Sequence, residues 1–471
     1  MRMKKLSAAV LIALALSLTV ALSACGGCNE PAPAPNEAKA NAVTAVVWGY
    51  EWGPAIPKVV VEFSENVKDI DKSTFTVKMG SKNRTVIDAY ASDAKGNKTT
   101  ADTKYAAIEM SVKYGEASPF TYSQTTNKND WVESVSVTVV AAKEFTVGTA
   151  KWEKGKKFTY KCGKENRIVP QTESWKKDSY KHSEGGKEIV LQRASWSPEG
   201  AATDGGKNPL VIWLHGMGEG GTDIDIALLG NEVTALTTEN TTNVQKYFTT
   251  SDCKGAYVLA VQTPTMWMDD GDGENNVDKP GTEKQPSMYT EALFGAISSY
   301  VESNSDVDTN RIYLGGCSNG GYMTMNMAFE HGDYFTAFYP VCEAYNNSKI
   351  TDAMIEQIKD YKMWFVQSDD DMTVLPNKFV KPTYLRLLQA GAQNVHFTFT
   401  GEVKGTDDPN PTSWTGSGKY DGHWVWIYAF NDRIKTQFDN SAISSLEDMT
   451  SAKCTKEGNM WQWLAQQTKA A

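Results

Sequence analysis

Residues 311–321 read Arg-Ile-Tyr-Leu-Gly-Gly-Cys-Ser-Asn-Gly-Gly, and they decide the fold. The short apolar run Arg311–Gly315 reads as a buried strand. It runs into Gly316-Cys317-Ser318-Asn319-Gly320, a G-x-S-x-G pattern, and then into a helical stretch over Gly321–His331. Strand, glycine-rich turn and helix in that order are the context that a nucleophile elbow needs. The glycines allow a strained turn that lifts the serine hydroxyl above the sheet. The new helix aims its first N–H groups, and the positive end of its dipole, at the same place.

Outward from this turn the same alternation continues. Leu210–Leu214, Ala256–Val261, Thr336–Tyr339, Met363–Val366 and Val395–Phe399 are apolar runs of strand length. Helix candidates lie between them, among them Met288–Asn304 and Pro382–Ala390. Alternating strands and helices imply a mostly parallel sheet covered on both faces, with its chemistry at the C-terminal strand ends. This assigns residues 151–471 to one α/β domain.

Residues 44–150 differ. Lys58–Phe63, Phe75–Lys78, Ala106–Val112 and Val135–Val140 are β-branched and partly alternating, with Gly, Asn and Asp clusters between them. That spacing predicts an all-β sandwich of immunoglobulin type, structural or binding in role. Residues 25–43 contain the Pro/Ala-rich stretch Asn29–Val43, which reads as an extended tether. Residues 1–24 have a basic start (Arg2, Lys4, Lys5), an apolar run over Leu6–Ala21, and Leu22-Ser23-Ala24 before Cys25. This is a secretory signal whose end resembles a bacterial lipobox. It predicts cleavage before Cys25, lipid on that cysteine, and a protein held to a membrane outside the cytoplasm.

Composition narrows the function classes. The 471-residue chain carries 47 basic and 57 acidic residues, net −10, with no basic run. Nucleic acid is therefore not an expected partner, because phosphate binding needs clustered Lys and Arg. Seven cysteines are present, and with Cys25 assigned to lipid six remain. Cys317 and Cys342 both fall near strand ends, where either a bridge bracing the turn or two buried thiols fits. The run Asp269–Asp278 has the composition of a calcium loop but lacks the closing Glu of an EF-hand, so no metal is assigned.

Serine is a poor nucleophile at neutral pH and needs a base, and the base needs an orienting group. On such an elbow the acid and then the histidine follow the serine in the chain. Of the five histidines, three follow Ser318. His331 ends the helix after the elbow and should point away, while His396 lies within a strand. His423 follows a long Gly/Asp/Pro-rich loop and is the candidate base. Asp369-Asp370-Asp371 directly follow the strand Met363–Val366. Asp371 is favoured as the acid, with Asp370 second. The oxyanion hole needs two backbone N–H groups. Asn319 supplies one and Met217, in the glycine-rich Leu214–Gly221 loop, the other. His215 is expected to fix that loop. Trp267, after the strand Ala256–Val261, is a candidate contact for an aromatic or sugar group, with loop packing as its alternative.

The segments LHGMGEGG, QTPTMWMDDG, DTNRIYLGGCSNGGYMTM, FYPVCEA, DDDMTVLP and YDGHWVWIY together resemble bacterial esterases of the polyhydroxybutyrate-depolymerase and feruloyl-esterase type. These belong to the α/β-hydrolase superfamily. Trp52-Gly-Pro-Ala-Ile resembles the immunoglobulin-like domain that precedes some of these esterases. The resemblance spans most of residues 45–465. It implies a Ser318–His423–Asp371 triad, an acyl-enzyme, and no metal or organic cofactor. The expected activity is carboxylic ester hydrolysis, on acyl or feruloyl groups attached to polysaccharide. Two other readings stand beside it: a serine peptidase of prolyl-oligopeptidase type, and a surface polysaccharide-binding protein without catalysis.

Overall fold

A computed structural model describes residues 38–238, 244–279, 284–405 and 419–469. The signal, Cys25 and most of the tether lie outside the described residues. Among the described residues, no helix is long and apolar enough to cross a membrane.

The C-terminal region is built on an eight-stranded sheet. Its spatial order is Lys176–Glu184, Lys187–Trp196, Tyr257–Gln262, Asn208–Leu214, Val307–Cys317, Ala337–Val341, Met363–Ser368 and Val395–Thr400. The first two form an antiparallel hairpin at one edge, and the other six are parallel. The central strands are buried on both faces, so they read as apolar runs rather than as alternating ones. Alternation survives in where each side chain goes. Leu210, Ile212 and Leu214 enter one core layer, while Val211 and Trp213 enter the other. Helices Thr290–Ser303, Asn319–His331, Asp352–Ile358 and Val380–Gln389 cover the first face. Ile224–Gly230, Trp426–Phe430 and Met460–Ala465 cover the second.

The N-terminal region is a sandwich. One sheet runs in the order Arg167–Ile168, Ala40–Tyr50, Gly53–Phe63, Tyr105–Met110 and Val86–Ser92. The other runs Lys157–Cys162, Val135–Ala141, Phe75–Met79 and Lys82–Arg84. Inward residues such as Val59, Val61, Phe63, Val77 and Val139 form its core. The sandwich reaches beyond residues 44–150 on both sides. Its first strand begins at Ala40, inside the stretch read as tether, and Tyr160 pairs with Val137 and Arg167 with Ala45. The alternation in Lys157–Cys162 is the period of a half-buried strand. A separate hairpin, Phe120–Ser123 with Lys128–Trp131, extends from the sandwich.

The two regions share a core. Leu229, on the helix Ile224–Gly230, is fully buried in the sandwich's apolar cluster. Gln171 clamps the Gly49 backbone, accepting from its N–H at 2.6 Å and donating to its carbonyl at 3.3 Å.

Candidate active site

Ser318 ends the central strand Val307–Cys317 and caps the helix Asn319–His331. Its backbone sits at φ 55°, ψ −114°, a conformation that costs a non-glycine residue roughly 1–3 kcal/mol and persists only where the surroundings impose it. The surroundings do so through close backbone approach. A Cβ on Gly320 would lie 2.0 Å from the Leu214 carbonyl oxygen, so glycine is required there. The Ser318 N–H donates to Val341 O at 3.0 Å, and Tyr322 N–H donates to Ser318 O at 2.8 Å.

His423 Nδ1 lies 2.9 Å from Asp371 Oδ2. Asp371 is wholly buried and follows the strand Met363–Ser368, next-but-one across the sheet from Ser318's strand. Its other oxygen, Oδ1, accepts from the Thr373 and Val374 N–H groups, each at 2.8 Å. The carboxylate is thus locked by its own turn, with one oxygen left for the imidazole. Asp370 is engaged elsewhere, accepting from Ser368 Oγ at 2.5 Å. Of the two acids, Asp371 is the one that His423 contacts. His423 itself sits in a short helical turn whose N-cap, Asp421, accepts the His423 N–H at 2.9 Å. Ser318 and His423 face one cleft of about 610 Å³.

Asn319 is the first residue of its helix, so its N–H is among the four without an intrahelical partner. Met217 opens a 3-10 turn, Met217–Glu219, on the loop after Leu214, and lines the same cleft. His215 holds that loop. Its Nε2 accepts the Thr263 N–H at 3.1 Å, which leaves Nδ1 as the protonated nitrogen donating to Gly216 O at 2.6 Å. Burial lowers its pKa to about 4, so the ring stays neutral.

Two expectations are corrected. Trp267 is completely buried and offers no face to a substrate. Its indole N–H donates to His215 O at 3.1 Å, and its backbone N–H donates to Asn319 Oδ1 at 2.5 Å. It braces the site from behind. Cys317 and Cys342 are free thiols, both fully buried. Burial raises both thiol pKa values well above the ordinary range, which starves the thiolate that disulfide chemistry requires. His331 pairs with Glu291 at 2.9 Å and stacks on Phe294, and His396 stacks on Trp364 inside the core. Both are structural. In the acidic run, Lys279 pairs with Asp270 at 2.6 Å and with Asp272 at 2.9 Å. Asp269 accepts from the Gly271 and Gly273 N–H groups and from Thr265 Oγ1.

The residues that the sequence did not reveal lie on the far wall of the cleft. Trp52, Tyr114, Phe120 and Tyr122 come from the sandwich and face Trp424 and Trp426. Tyr114 and Trp424 meet edge to face at 5.7 Å. Glu51 is buried at this seam and accepts from Tyr420 Oη at 3.1 Å and Asn431 Nδ2 at 3.2 Å. A second buried acid, Glu219, lies on the Met217 loop. In sequence this wall is hinted at only by the alternation of Phe120–Ser123 ahead of a turn. Nothing in it says what the hairpin touches.

Comparison with known proteins agrees with this architecture. Residues 42–151 match the model of the esterase Ig-like N-terminal domain, and residues 293–376 match that of the prolyl oligopeptidase family. Among solved structures, the chain is similar to one described as a thermostable esterase, with a TM-score of 0.64 and 19% identity over 91% of this chain and 100% of that one. A structure described as a ferulic acid esterase aligns with a TM-score of 0.35 and 14% identity, covering 55% of this chain and 96% of that one. An acylaminoacyl peptidase from Pyrococcus horikoshii aligns at 0.33 and 14%, covering 73% and 49%. No curated protein sequence matches. The chain has the α/β-hydrolase fold, preceded by an immunoglobulin-like sandwich.

Proposed function

We propose that the protein is a serine carboxylesterase acting through Ser318, His423 and Asp371. The observation that carries this reading is the pairing of His423 with a locked, buried Asp371, across a cleft shared with a serine on a strained elbow. His423 takes the proton from Ser318 Oγ as the oxygen attacks the ester carbonyl. Asp371 holds the Nδ1–H tautomer and stabilises the imidazolium. The N–H groups of Met217 and Asn319 receive the oxyanion. The C–O bond to the alcohol then breaks, and the alcohol leaves with the proton held on His423. Water, deprotonated by His423, attacks the acyl-enzyme and releases the acid, with no cofactor in either half.

The substrate is an ester small enough, or end-on enough, to enter a cleft of about 610 Å³ with aromatic walls. Acyl or feruloyl groups on polysaccharide suit such walls, since flat rings and sugars both stack on Trp and Tyr. Lipid on Cys25 would hold the enzyme at the outer face of a membrane, where such polymers are met.

Hydrolysis of acetyl, butyryl and feruloyl esters, with a prolyl-peptide anilide alongside, tests the reading when run against Ser318→Ala. Ester turnover lost in the variant is the expected result. Turnover of the anilide alone would move the assignment to a peptidase, the reading that the match over residues 293–376 favours. A folded protein that hydrolyses neither would return it to a binding protein.

A further inference from the structure

Glu219 is the acid that the triad leaves unexplained. It lies two residues after Met217 and lines the cleft with Ser318 and His423. It has no room to swing, because a Cβ at Gly230 would meet its Cγ at 2.6 Å and one at Gly216 would meet its Oε2 at 3.0 Å. Its carboxyl lies against the Asn231 side chain and the Gly216 backbone. Asn231 Oδ1 in turn accepts the Gly216 N–H at 3.3 Å. From the sandwich, Asn129 Nδ2 reaches Glu219 Oε1 at 3.4 Å. The same hairpin also grips two segments that flank the loop, the N-cap of the helix Ile224–Gly230 and the turn after the strand Tyr257–Gln262. Trp131 Nε1 donates to Asp223 at 3.0 Å, and Lys128 Nζ donates to Pro264 O at 3.2 Å.

The titratable groups facing Glu219 are His423 across the cleft, Cys317 beneath it and Tyr122 on the hairpin. Lys128 spends its ammonium on the Pro264 carbonyl. A buried carboxyl without a paired cation favours its protonated form; none is paired to Glu219 among the described residues, and burial lifts it to about 7.

We propose that Glu219 is a positioning residue for the oxyanion-binding loop, packed against Asn231 on one side and bonded to the sandwich's Asn129 on the other. This rests on the esterase reading. It makes the sandwich part of the machinery that shapes the Met217 N–H. It also sets an alkaline limit. An ionised Glu219 places negative charge beside the forming oxyanion and so destabilises it.

The test uses the full chain and its E219A, E219Q and N129A variants. kcat and KM for a small neutral ester are measured from acid to alkaline pH, together with the rate at which a fluorophosphonate labels Ser318. E219A is expected to lower kcat and labelling on the order of 100-fold with KM little changed, the signature of a displaced oxyanion donor. N129A should show the same split at about tenfold or less. Wild-type kcat is expected to decline above about pH 7, and E219Q should restore most of the turnover and abolish that decline. A folded E219A with wild-type kcat, or an E219Q that keeps the alkaline decline, would overturn the proposal. If E219A does not fold, N129A and E219Q decide it. A wild type that neither hydrolyses esters nor takes the label instead sinks the esterase reading. A wild type that does both, with variants that match it, sinks only the role of Glu219.

Discussion

The two walls of the cleft are made in different ways. The wall that holds Ser318 and Asp371 grows from the ends of two strands of one sheet, with His423 on a short helical turn beside them, and each residue is fixed by the turn it sits in. The opposite wall is brought in from another folding unit. Trp52, Tyr114 and Tyr122 belong to the sandwich, and they reach the cleft only because Leu229, Gln171 and the Phe120–Trp131 hairpin dock it there. The first wall is rigid by local geometry, the second by tertiary contact. Chemistry is therefore built into the sheet, while access and loop placement depend on docking.

Damage to each wall should have its own signature. Asp371→Asn should be the most severe change, costing about 10⁴-fold in kcat because the imidazole loses its tautomer, with an unchanged melting curve. A loss under tenfold would place the acid elsewhere. Leu229→Ala strikes the docking core and should destabilise the protein by about 2–5 kcal/mol. Calorimetry should show the sandwich and hydrolase melting further apart than in wild type, and a single unshifted transition would mean that the shared core is not what couples them. Trp424→Ala, in the aromatic seam with Tyr114, should raise KM about tenfold for aryl esters and less for alkyl esters. Equal effects on both would show a wall that excludes water without stacking on substrate. Tyr122→Ala should be mildest. Its ring is 53% exposed, so stability should stay within about 0.5 kcal/mol and only KM should move.

Stability against pH separates two residues of the Met217 loop. Folding raises the Glu219 pKa from 4.5 to about 7, so the native state binds the extra proton. Its contribution is full below 4.5 and is lost as pH rises toward 7. His215 runs the other way. Folding lowers its pKa from 6.5 to about 4, so its contribution is full above 6.5 and is lost as pH falls toward 4. Relative to wild type, E219Q should gain in melting temperature as pH rises from about 4.5 to 7 and hold that gain above. A difference that is flat across the range would show Glu219 ionised throughout.

The sheet and the elbow were legible because their information is local. Arg311–Gly321 spells strand, turn and helix in consecutive residues, and the run from Met363 to Asp371 places an acid at a strand end. Even the choice between Asp370 and Asp371 is a matter of one turn, with two N–H groups closing on Asp371 Oδ1. Trp267 stays open between contact and packing in sequence, because an aromatic residue beside a site looks the same whether it faces the cleft or braces it. Its direction is set by His215 O and Asn319, which lie 52 residues away on either side. Glu219 looks ordinary within its glycine-rich loop, since what sets it apart is burial with no cation paired to it among the described residues. The sandwich's share of the cleft could not be read at all. It depends on contacts such as Asn129 to Glu219, 90 residues apart, and Glu51 to Tyr420, 369 apart, for which one sequence carries no signal.

The docked hairpin has a consequence for how such an enzyme changes over generations. Loops on a β-sandwich tolerate substitution and insertion far better than strand ends in a parallel sheet. With one wall of the cleft carried on those loops, what is admitted to Ser318 can drift while the apparatus that cleaves it stays fixed. Appetite and bite are inherited separately here, and a new diet requires no new teeth.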